Sequence, residues 1–316
     1  MRIIFLGTPY FAVPSLDILV KNGYDVCAVI TAPDKPAGRG QKLVFSDVKQ
    51  YAIENNILCL QPVKLSDPSF LSEVQALGAD LQIVVAFRMM PEKLWSMPKY
   101  GTFNLHGSLL PSYRGAAPIN RAIMNGEVET GVTTFFLRQE IDTGNIIFQQ
   151  KIAILDEDNA GTLHDKMMLI GADLVLKTVK KIESGDLSTI SQLELIEKGM
   201  KVIEAPKIFK ADCKLDIQLT KETLHNYVRG LSPYPGAYVE LCFPDKSVHL
   251  LKVYSSKIDD EFVGQNAFIA NNKEGIKIKC SNGYLSLLEV QMPGKKRMDV
   301  KQLLNGYHFP EGIEVH

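Results

Sequence analysis

The sequence predicts an α/β protein with two domains, a doubly wound parallel sheet followed by a small β-barrel. In the first half, short apolar runs alternate with amphipathic helical patterns, which is the rhythm of βαβ units. Those runs are continuous rather than alternating, as in parallel strands covered on both faces. Toward the C-terminus, strand-like runs follow one another between turn signals, which is typical of an antiparallel barrel. A length of 316 residues accommodates both domains.

The first half supplies the strands and helices of the parallel sheet. In such a sheet, ligands bind beyond the carboxyl ends of the strands, so functional residues are expected at that edge. The first helical pattern ends at Gly23, which is a typical helix stop. The elements predicted are strands at 3–6, 26–30, 57–60 and 83–87, and helices at 11–22, 46–56 and 68–78.

The second half contains a long helix, a connection and the barrel. A helical pattern covers 162–184 and stops at Gly185, and the mixed polar residues that follow show no clear period. We therefore place the first, catalytic domain at 1–186, a linker at 187–206 and the barrel domain at 207–316. The elements predicted for the barrel domain are a helix at 219–230 and strands at 237–243, 247–258, 275–280 and 284–291.

Composition limits the class of protein. The chain is 46% hydrophobic with a net charge of −1, so no overall field attracts a nucleic acid, although a local patch can suffice. Its 5 cysteines lie far apart without metal-ligand spacing, which indicates a reduced compartment and no metal site. The N-terminal apolar run is too short for a signal peptide or a membrane span, so we expect a cytoplasmic protein without a membrane partner.

Two nucleotide-binding motifs are absent from the sequence. Gly7 in the first strand-to-helix turn is followed by Thr8, Pro9 and Tyr10, so the second and third glycines of a dinucleotide-binding G-x-G-x-x-G are missing. The segment AGRGQK at 37–42 lacks the spacing and the Ser or Thr of a P-loop. A nicotinamide dehydrogenase is therefore disfavoured despite the predicted sheet.

Three polar residues at strand ends suggest chemistry. Asn104 and His106 are two residues apart in the stretch FNLH, so they project from one face just before the chain turns at Gly107. An imidazole can move protons near neutral pH, and an amide can donate to an oxygen that gains charge. Asp142 lies in the turn EIDTGN, where its carboxylate could orient the imidazole. Taken singly, these residues also fit a core His–Asn pair and an ordinary Asx turn.

Together, these segments resemble the 10-formyltetrahydrofolate-dependent formyltransferase family. The resemblance is carried by NLHGSLLPSYRGAAPI at 104–119, GVTTFFL at 131–137 and DTG at 142–144. It implies a Rossmann-like catalytic domain and an OB-like barrel domain, with 10-formyltetrahydrofolate as a consumed co-substrate and no metal. The folate-contacting residues that it implies are Ser108, Leu109, Leu110 and Pro111, together with Phe87, Arg88 and Met89 in VVAFRMM.

The resemblance also implies a role for each catalytic residue. His106 takes the proton from the attacking amine and helps to deliver one to the departing N10 of the folate. Asn104 donates a hydrogen bond to the formyl oxygen as the tetrahedral oxyanion forms. Asp142 orients and polarises His106, with a water between them.

Among the members of this family, the chain resembles those that formylate the α-amine of methionyl-initiator tRNA. PDKPAGRGQKL at 33–43 is similar to the loop that enters the acceptor end of the tRNA, and its cations and glycines suit a phosphate backbone. The segments IIFLGTPYFAVPSL, LSPYPGAY and PGKKRM extend the resemblance along the chain. We expect a monomer whose tRNA contacts include Lys35, Arg39, Lys42, Lys295, Lys296 and Arg297.

Alternative interpretations remain at this stage. A UDP-amino-sugar formyltransferase would share the catalytic residues, and only the 33–43 loop argues against it. A non-catalytic RNA-binding protein would not need the Asn/His/Asp set. The 33–43 loop also fits an ordinary surface loop, and 295–297 a solvated turn. Arg88 stands where the family usually has glycine, which leaves the detail of the folate contacts open, whereas Ile141 in place of leucine should be tolerated.

Overall fold

The computed structural model describes residues 1–37, 42–260 and 264–316 and divides them into two compact units. The first unit comprises Met1–Gly115, Glu129–Ala153 and His164–Ala205. The second comprises Ala116–Val128, Ile154–Leu163 and Pro206–His316, so the two units interleave along the chain. The predicted fold class, a doubly wound α/β sheet and an antiparallel barrel, is confirmed. The domain boundaries at 186 and 206 stay a prediction.

Most strands are as short as the apolar runs predict. They are β1 (Arg2–Gly7), β2 (Asp25–Ile30), β3 (Lys35–Ala37), β4 (Lys42–Val44), β5 (Cys59–Leu60), β6 (Leu81–Val85), β7 (Thr102–His106), β8 (Arg114–Gly115), β9 (Glu129–Phe136), β10 (Ile146–Ala153), β11 (Glu204–Ala205), β12 (Ala237–Cys242), β13 (Val248–Asp259), β14 (Phe268–Asn271), β15 (Gly275–Cys280), β16 (Gly283–Gln291), β17 (Met298–Asp299) and β18 (Glu314–Val315).

Several helices begin at a capping side chain. Ser46 accepts the N–H of Lys49, and Asp67 accepts those of Ser69 and Phe70, so both side chains satisfy donors that a helix start leaves free. The helices are α1 (Val13–Lys21), α2 (Asp47–Glu54), α3 (Pro68–Ala76), α4 (Glu92–Trp95), α5 (Pro118–Met124), α6 (Ala160–Glu183), α7 (Gln192–Glu197), α8 (Lys221–Leu231) and α9 (Val300–Gly306).

The sheet of the first unit has seven strands in the order β10-β9-β7-β6-β1-β2-β5. The five strands from β7 to β5 run parallel, and β9 and β10 add an antiparallel edge. Every residue of β6 is buried, as expected of a strand covered on both faces. Val85 at the end of β6 pairs with Leu105 in β7, so these two strands end side by side. The loops that follow them therefore leave the same edge of the sheet.

The sheet of the second unit is antiparallel and barrel-like, in the order β14-β15-β16-β13-β12-β18, with β17 paired to β16. Its long strand β13 pairs with both β12 and β16. Leu224, Val228 and Leu231 on one side of α8 are fully buried in the same apolar cluster as Val239 and Val253 of the sheet. This helix therefore closes the core of the barrel.

Three predicted elements differ from the structure. The strand expected at 83–87 covers Leu81–Val85, because Ala86 takes a positive φ of 49° and leaves the sheet. The segment 33–43 contains a short hairpin of β3 and β4 rather than an irregular loop. The segment 187–206, expected to lack structure, contains α7 and β11. In the described ranges, none of the helices combines the length and the apolar character needed to cross a membrane.

Candidate active site

The end of β7 places Asn104 and His106 on one face of the sheet, as the sequence predicts. His106 is 6% exposed and Asn104 is half-buried. Among the described residues, the side-chain amide of Asn104 has no hydrogen-bond partner. Its donors and its acceptor are therefore available to a ligand.

The imidazole of His106 is fixed from one side by the main chain. Its Nε2 lies 2.8 Å from the carbonyl oxygen of Tyr113, and because a carbonyl oxygen can only accept, Nε2 carries the proton of that bond. Because Nε2 carries the proton, the lone pair of the neutral ring is on Nδ1. Phe135 also contacts the imidazole edge-on, with ring centroids 6.4 Å apart.

Asp142 faces that second nitrogen. Its Oδ2 lies 3.7 Å from Nδ1 of His106, which is longer than a hydrogen bond and within the range of an ion pair. The same Oδ2 accepts the main-chain N–H of Gly115 at 2.9 Å. The structure therefore brings together His106 and Asp142, although 36 residues separate them along the chain.

The turn that carries Asp142 has a constrained backbone. Asp142 has φ of 55°, in the left-handed region that aspartate tolerates better than most residues. Gly144, two residues further on, packs directly against β9. A Cβ added there would lie 1.6 Å from the carbonyl oxygen of Phe136. Only glycine fits at this position, which explains the Asp-Thr-Gly order in physical terms.

Gln192 and Arg114 complete the surroundings of Asp142, and sequence reasoning did not identify them. Gln192 Nε2 donates to the carbonyl oxygens of Asp142 and Gly144, both at 2.8 Å. Its Oε1 accepts from Nε and Nη2 of Arg114 at 3.2 and 2.6 Å. Burial lowers the pKa of the Arg114 guanidinium, and the Asp142 carboxylate opposes that shift. No sequence pattern identified Gln192, because it lies in a segment without a clear hydrophobic period.

The predicted folate segment 108–111 is fixed against the sheet. Thr133 donates its hydroxyl to the carbonyl oxygen of Ser108 at 2.6 Å, and the N–H of Leu110 reaches the same hydroxyl at 3.2 Å. Gln149 donates to the carbonyl oxygen of Leu110 at 2.8 Å. The side chains of Ser108, Leu110 and Pro111 are buried, whereas Leu109 is half-buried. Leu109 is therefore the residue of this segment that a ligand can reach most easily.

The other predicted folate segment follows β6 at the same sheet edge. Phe87 packs partly into the apolar cluster beside the sheet, whereas Met89 is 76% exposed. The Arg88 guanidinium donates to the carbonyl oxygens of Pro62 and Val63, the latter at 3.0 Å. The residue that departs from the family pattern therefore ties this loop to the loop that follows β5.

The cations predicted for tRNA lie in several places. Arg39 is outside the described residues, and the side chain of Lys42 is not described. Lys35 is exposed at the start of β3, next to Asp34, which pairs with Lys49 at 2.5 Å. Hydrogen bonds from Gln61 and then from Lys49 lower the pKa of the Asp34 carboxyl.

The C-terminal cluster contains two different kinds of cation. Lys295 and Lys296 are exposed. Arg297 instead pairs with Glu289 at 2.5 Å and lies 4.4 Å above the ring of Tyr254. The bond to Glu289 raises the pKa of the Arg297 guanidinium. Arg297 therefore contributes to the packing of the barrel surface as well as to its charge.

A cavity of about 460 Å³ in the second unit combines positive charge with aromatic rings. Its rim includes Tyr234, which is 83% exposed, and Phe209, which is 63% exposed. The cations along it are Lys207, Lys210 and Lys252, and Tyr238 also lines it. We call this feature the cationic–aromatic groove. Sequence reasoning missed it because residues 207–210 and 234–252 are brought together only by the fold.

No group of His, Cys, Asp or Glu side chains within the described ranges has the arrangement of a metal site. The site at the end of β7 contains an amide, an imidazole and a carboxylate. These groups can donate to an oxygen that gains charge, accept a proton and stabilise the resulting cation.

Comparison with known proteins identifies the family. The Formyl transferase model matches residues 1–179, and the model for the formyl transferase C-terminal domain matches residues 207–308. The methionyl-tRNA formyltransferase of Flavobacterium johnsoniae is 51% identical over 319 residues, covering 100% of this chain and 99% of that protein. The enzyme of the same name from Bacteroides thetaiotaomicron is 46% identical over 318 residues, covering 100% and 98%.

A solved structure supports the fold assignment. WlaRD, a sugar 3N-formyl transferase crystallised in the presence of dTDP and 5-N-formyl-THF, matches with a TM-score of 0.67 and 24% identity. The match covers 94% of this chain and 99% of that one. The resemblance inferred from the sequence is confirmed, and the chain belongs to the formyl transferase family.

Proposed function

We infer that this enzyme transfers a formyl group from 10-formyltetrahydrofolate to the α-amine of methionyl-initiator tRNA. The observation that carries this inference is identity of 46–51% along the whole chain to relatives that bear the name methionyl-tRNA formyltransferase. The identity extends over the second unit as well. Formyl transfer alone does not explain why that unit is present. The geometry at the end of β7 supplies the chemical part of the argument.

The reaction requires a balanced set of bond and proton changes. The amine nitrogen bonds to the formyl carbon, and the carbonyl oxygen gains negative charge in the tetrahedral intermediate. The bond from that carbon to N10 of the folate then breaks and the carbonyl forms again. The amine loses one proton and N10 gains one, so a single proton carrier suffices.

We propose that the side-chain amide of Asn104 stabilises the oxyanion. Its side chain is half-buried and uncommitted among the described residues, so it can donate to the formyl oxygen without first breaking a bond. A donor that is already in place needs no reorganisation as charge develops, which makes this kind of interaction effective.

His106 is the proposed proton carrier, and Nδ1 is the atom that accepts the proton. The carbonyl of Tyr113 engages Nε2–H, which fixes both the tautomer and the plane of the ring. Once protonated, Nδ1 faces the Asp142 carboxylate across 3.7 Å, and the carboxylate stabilises the imidazolium. A water in this gap would complete the hydrogen bonds that the two groups do not make directly.

The folate donor is proposed to lie at the edge where β6 and β7 end. The segments 86–90 and 108–111 leave the sheet there, beside His106. Because Ser108, Leu110 and Pro111 are buried and Leu109 is half-buried, Leu109 is the residue of this segment that we expect to contact the pterin. The related fold of WlaRD was crystallised in the presence of 5-N-formyl-THF, a folate of the same class.

The tRNA acceptor is proposed to contact both units. In the first unit, Lys35 is an exposed cation in the hairpin of β3 and β4, and we propose Arg39, which lies outside the described residues, as a second contact. In the second unit, Lys295 and Lys296 are exposed, and the cationic–aromatic groove offers lysines to phosphates and rings to unstacked bases. This set of features is more than a small amino-sugar nucleotide requires.

A direct comparison of acceptors tests the proposed function. The enzyme is incubated with labelled 10-formyltetrahydrofolate and either methionyl-initiator tRNA or an amino-sugar nucleotide such as UDP- or dTDP-linked amino sugar. We expect kcat/KM for the tRNA to exceed that for the nucleotides by at least about 10³-fold, since tRNA binding energy is available only to the first. Comparable or higher efficiency with an amino-sugar nucleotide would overturn the assignment.

A further inference from the structure

The segment that follows α6 returns to the turn that carries Asp142. Gln192, the first residue of α7, is 2% exposed. Ser191 caps this helix by accepting the N–H of Leu193, so the start of α7 is locally well defined. The side-chain amide of Gln192 is thus held inside the first unit, far along the chain from the residues that it contacts.

This amide uses all of its hydrogen-bonding capacity. An amide has two N–H donors and an oxygen that accepts two bonds. The donors go to the carbonyl oxygens of Asp142 and Gly144, and the oxygen accepts both bonds from Arg114. A buried amide whose partners are all main-chain or charged groups is costly to replace, because each partner would lose its bond.

The four bonds hold the chain on two sides of Asp142. One side is the peptide that carries Asp142 itself, whose φ of 55° needs support from its surroundings. The other side is Arg114, which directly precedes Gly115, and the N–H of Gly115 donates to Asp142 Oδ2. Gln192 therefore holds both the turn that carries the carboxylate and Arg114, the residue before the Gly115 N–H that binds it.

We propose that Gln192 is a positioning residue that keeps the Asp142 carboxylate 3.7 Å from Nδ1 of His106. This inference rests on the proposed function of His106 and Asp142. Gln192 itself has no contact with the reacting atoms in this arrangement, so its entire effect on the rate passes through Asp142. The segment predicted as a linker thereby contributes a residue to the organisation of the active site.

The experiment is a double-mutant cycle. Gln192→Leu keeps the size of the side chain and removes all four bonds, and Leu193→Ala, at a residue that is 68% exposed on the same helix, is the matched control. We expect Gln192→Leu to lower kcat by about 10–100-fold, with both KM values within about twofold, because a small displacement of a catalytic group has that effect. Leu193→Ala should leave both unchanged.

The decisive comparison uses the Asp142→Asn background. If Gln192 acts through the carboxylate, adding Gln192→Leu there should lower kcat by less than about threefold. If the double variant instead loses kcat by the product of the two single-variant losses, the two residues act independently and the proposal is wrong. The cycle can be run with methionyl-tRNA, with an amino-sugar nucleotide or with acceptor-free hydrolysis of the donor, so a wrong acceptor assignment does not affect its outcome.

A second readout needs no turnover. Amide hydrogen exchange at Gly115, followed by NMR, should become faster in Gln192→Leu and stay the same in Leu193→Ala. If Gln192→Leu does not fold, Gln192→Glu takes its place, since it keeps an acceptor for Arg114 and loses the two donated bonds. Unchanged Gly115 exchange in a folded Gln192 variant would contradict the proposal.

Discussion

The Nδ1 atom of His106 lies 3.7 Å from Oδ2 of Asp142, whereas its Nε2 donates to the carbonyl of Tyr113 at 2.8 Å. The two nitrogens thus have different neighbours, one a neutral carbonyl and the other a carboxylate. A proton that arrives at Nδ1 creates a cation next to an anion, and the ring cannot turn away without losing the bond to Tyr113. The charge of Asp142, rather than its shape, is the property that this arrangement uses.

The first prediction removes that charge. Asp142→Asn keeps an oxygen that can accept the N–H of Gly115, so the turn should fold as before. We expect kcat to fall by about 10²-fold, because the imidazolium loses its counter-ion. Single-turnover rates at saturating donor and acceptor measure the effect, with the thermal midpoint as the control. A near-normal rate would mean that Asp142 serves only to hold Gly115.

The second prediction concerns the proposed oxyanion donor. Asn104→Ala should lower kcat by about 10²–10³-fold, which is the usual cost of removing one preorganised donor. Because the amide has no partner among the described residues, the stability of the protein should hardly change. Equilibrium binding of an unreactive folate, measured in parallel, should stay within about twofold. A large loss of folate affinity with normal turnover of bound substrate would place Asn104 in ground-state binding instead.

The third prediction concerns the hydrogen bonds by which Arg88 connects the loop after β6 to the loop after β5. Arg88→Gly removes the bonds to the carbonyl oxygens of Pro62 and Val63 and restores the residue usual in the family. We expect KM for the folate donor to rise by about 3–10-fold with a smaller change in kcat, since the loop after β6 loses one anchor. Lys93→Ala is the control, because Lys93 is exposed on α4, directly after the same loop. Equal effects of both variants would show that the anchor has no special role.

The fourth prediction is a pH dependence of stability. Burial lowers the pKa of His225, the Arg229 guanidinium adds to that shift, and Asp156 opposes it. Its Nδ1 lies 2.9 Å from the hydroxyl of Ser256. The unfolded chain binds a proton near pH 6.5 and the folded chain binds it less readily, so stability decreases as the pH falls through about 6.5 toward the lowered pKa.

His225→Gln removes that titrating group and should make the decrease smaller. The measurement is the difference in thermal midpoint between about pH 7.5 and pH 5.5, which we expect to shrink by roughly 2 °C. Gln218→Ala, at an exposed residue of the same unit that does not titrate, is the control and should keep the dependence of the parent protein. If the thermal midpoint of His225→Gln decreases with pH as much as that of the parent, other groups cause the pH dependence.

Much of the catalytic centre could be predicted because it depends on local rules. Asn104 and His106 share a face for the simple reason that side chains alternate along a strand. The central strands were recognisable since a doubly covered strand must be apolar throughout, as β6 is. Asp142 was found through its turn, and Gly144 beside it has a steric requirement that any chain with this turn must meet.

The parts that could not be predicted depend on contacts between distant segments. Gln192 reaches Asp142 from a polar stretch whose composition gives no sign of burial. The groove beside Tyr234 forms from stretches that have no common pattern in sequence. Arg88 was visible as a departure from the family, but its partners are main-chain carbonyls, which every residue carries and no sequence pattern can single out.

The last prediction addresses the acceptor. Lys207 and Lys210 are exposed at the cationic–aromatic groove, and Lys273, which is also exposed in the second unit but outside the groove, is the matched control. Combined Lys207→Ala and Lys210→Ala should lower kcat/KM for methionyl-tRNA by about 10-fold at moderate salt. Each phosphate contact removed should also reduce the slope of log affinity against log salt by about 0.7–0.9. Lys273→Ala should change neither quantity.

The same assay separates the groove from the hairpin of β3 and β4. Arg39→Ala should weaken use of the tRNA and its dependence on salt by one contact, and initiator tRNA should protect the enzyme from cleavage by trypsin after Arg39 and Lys42. Acceptor-free hydrolysis of the donor should stay normal in every one of these variants, because none alters the end of β7. If the lysine and arginine variants formylate tRNA like the parent across a salt series, neither the groove nor this hairpin contacts the tRNA, and the acceptor binds elsewhere on the protein.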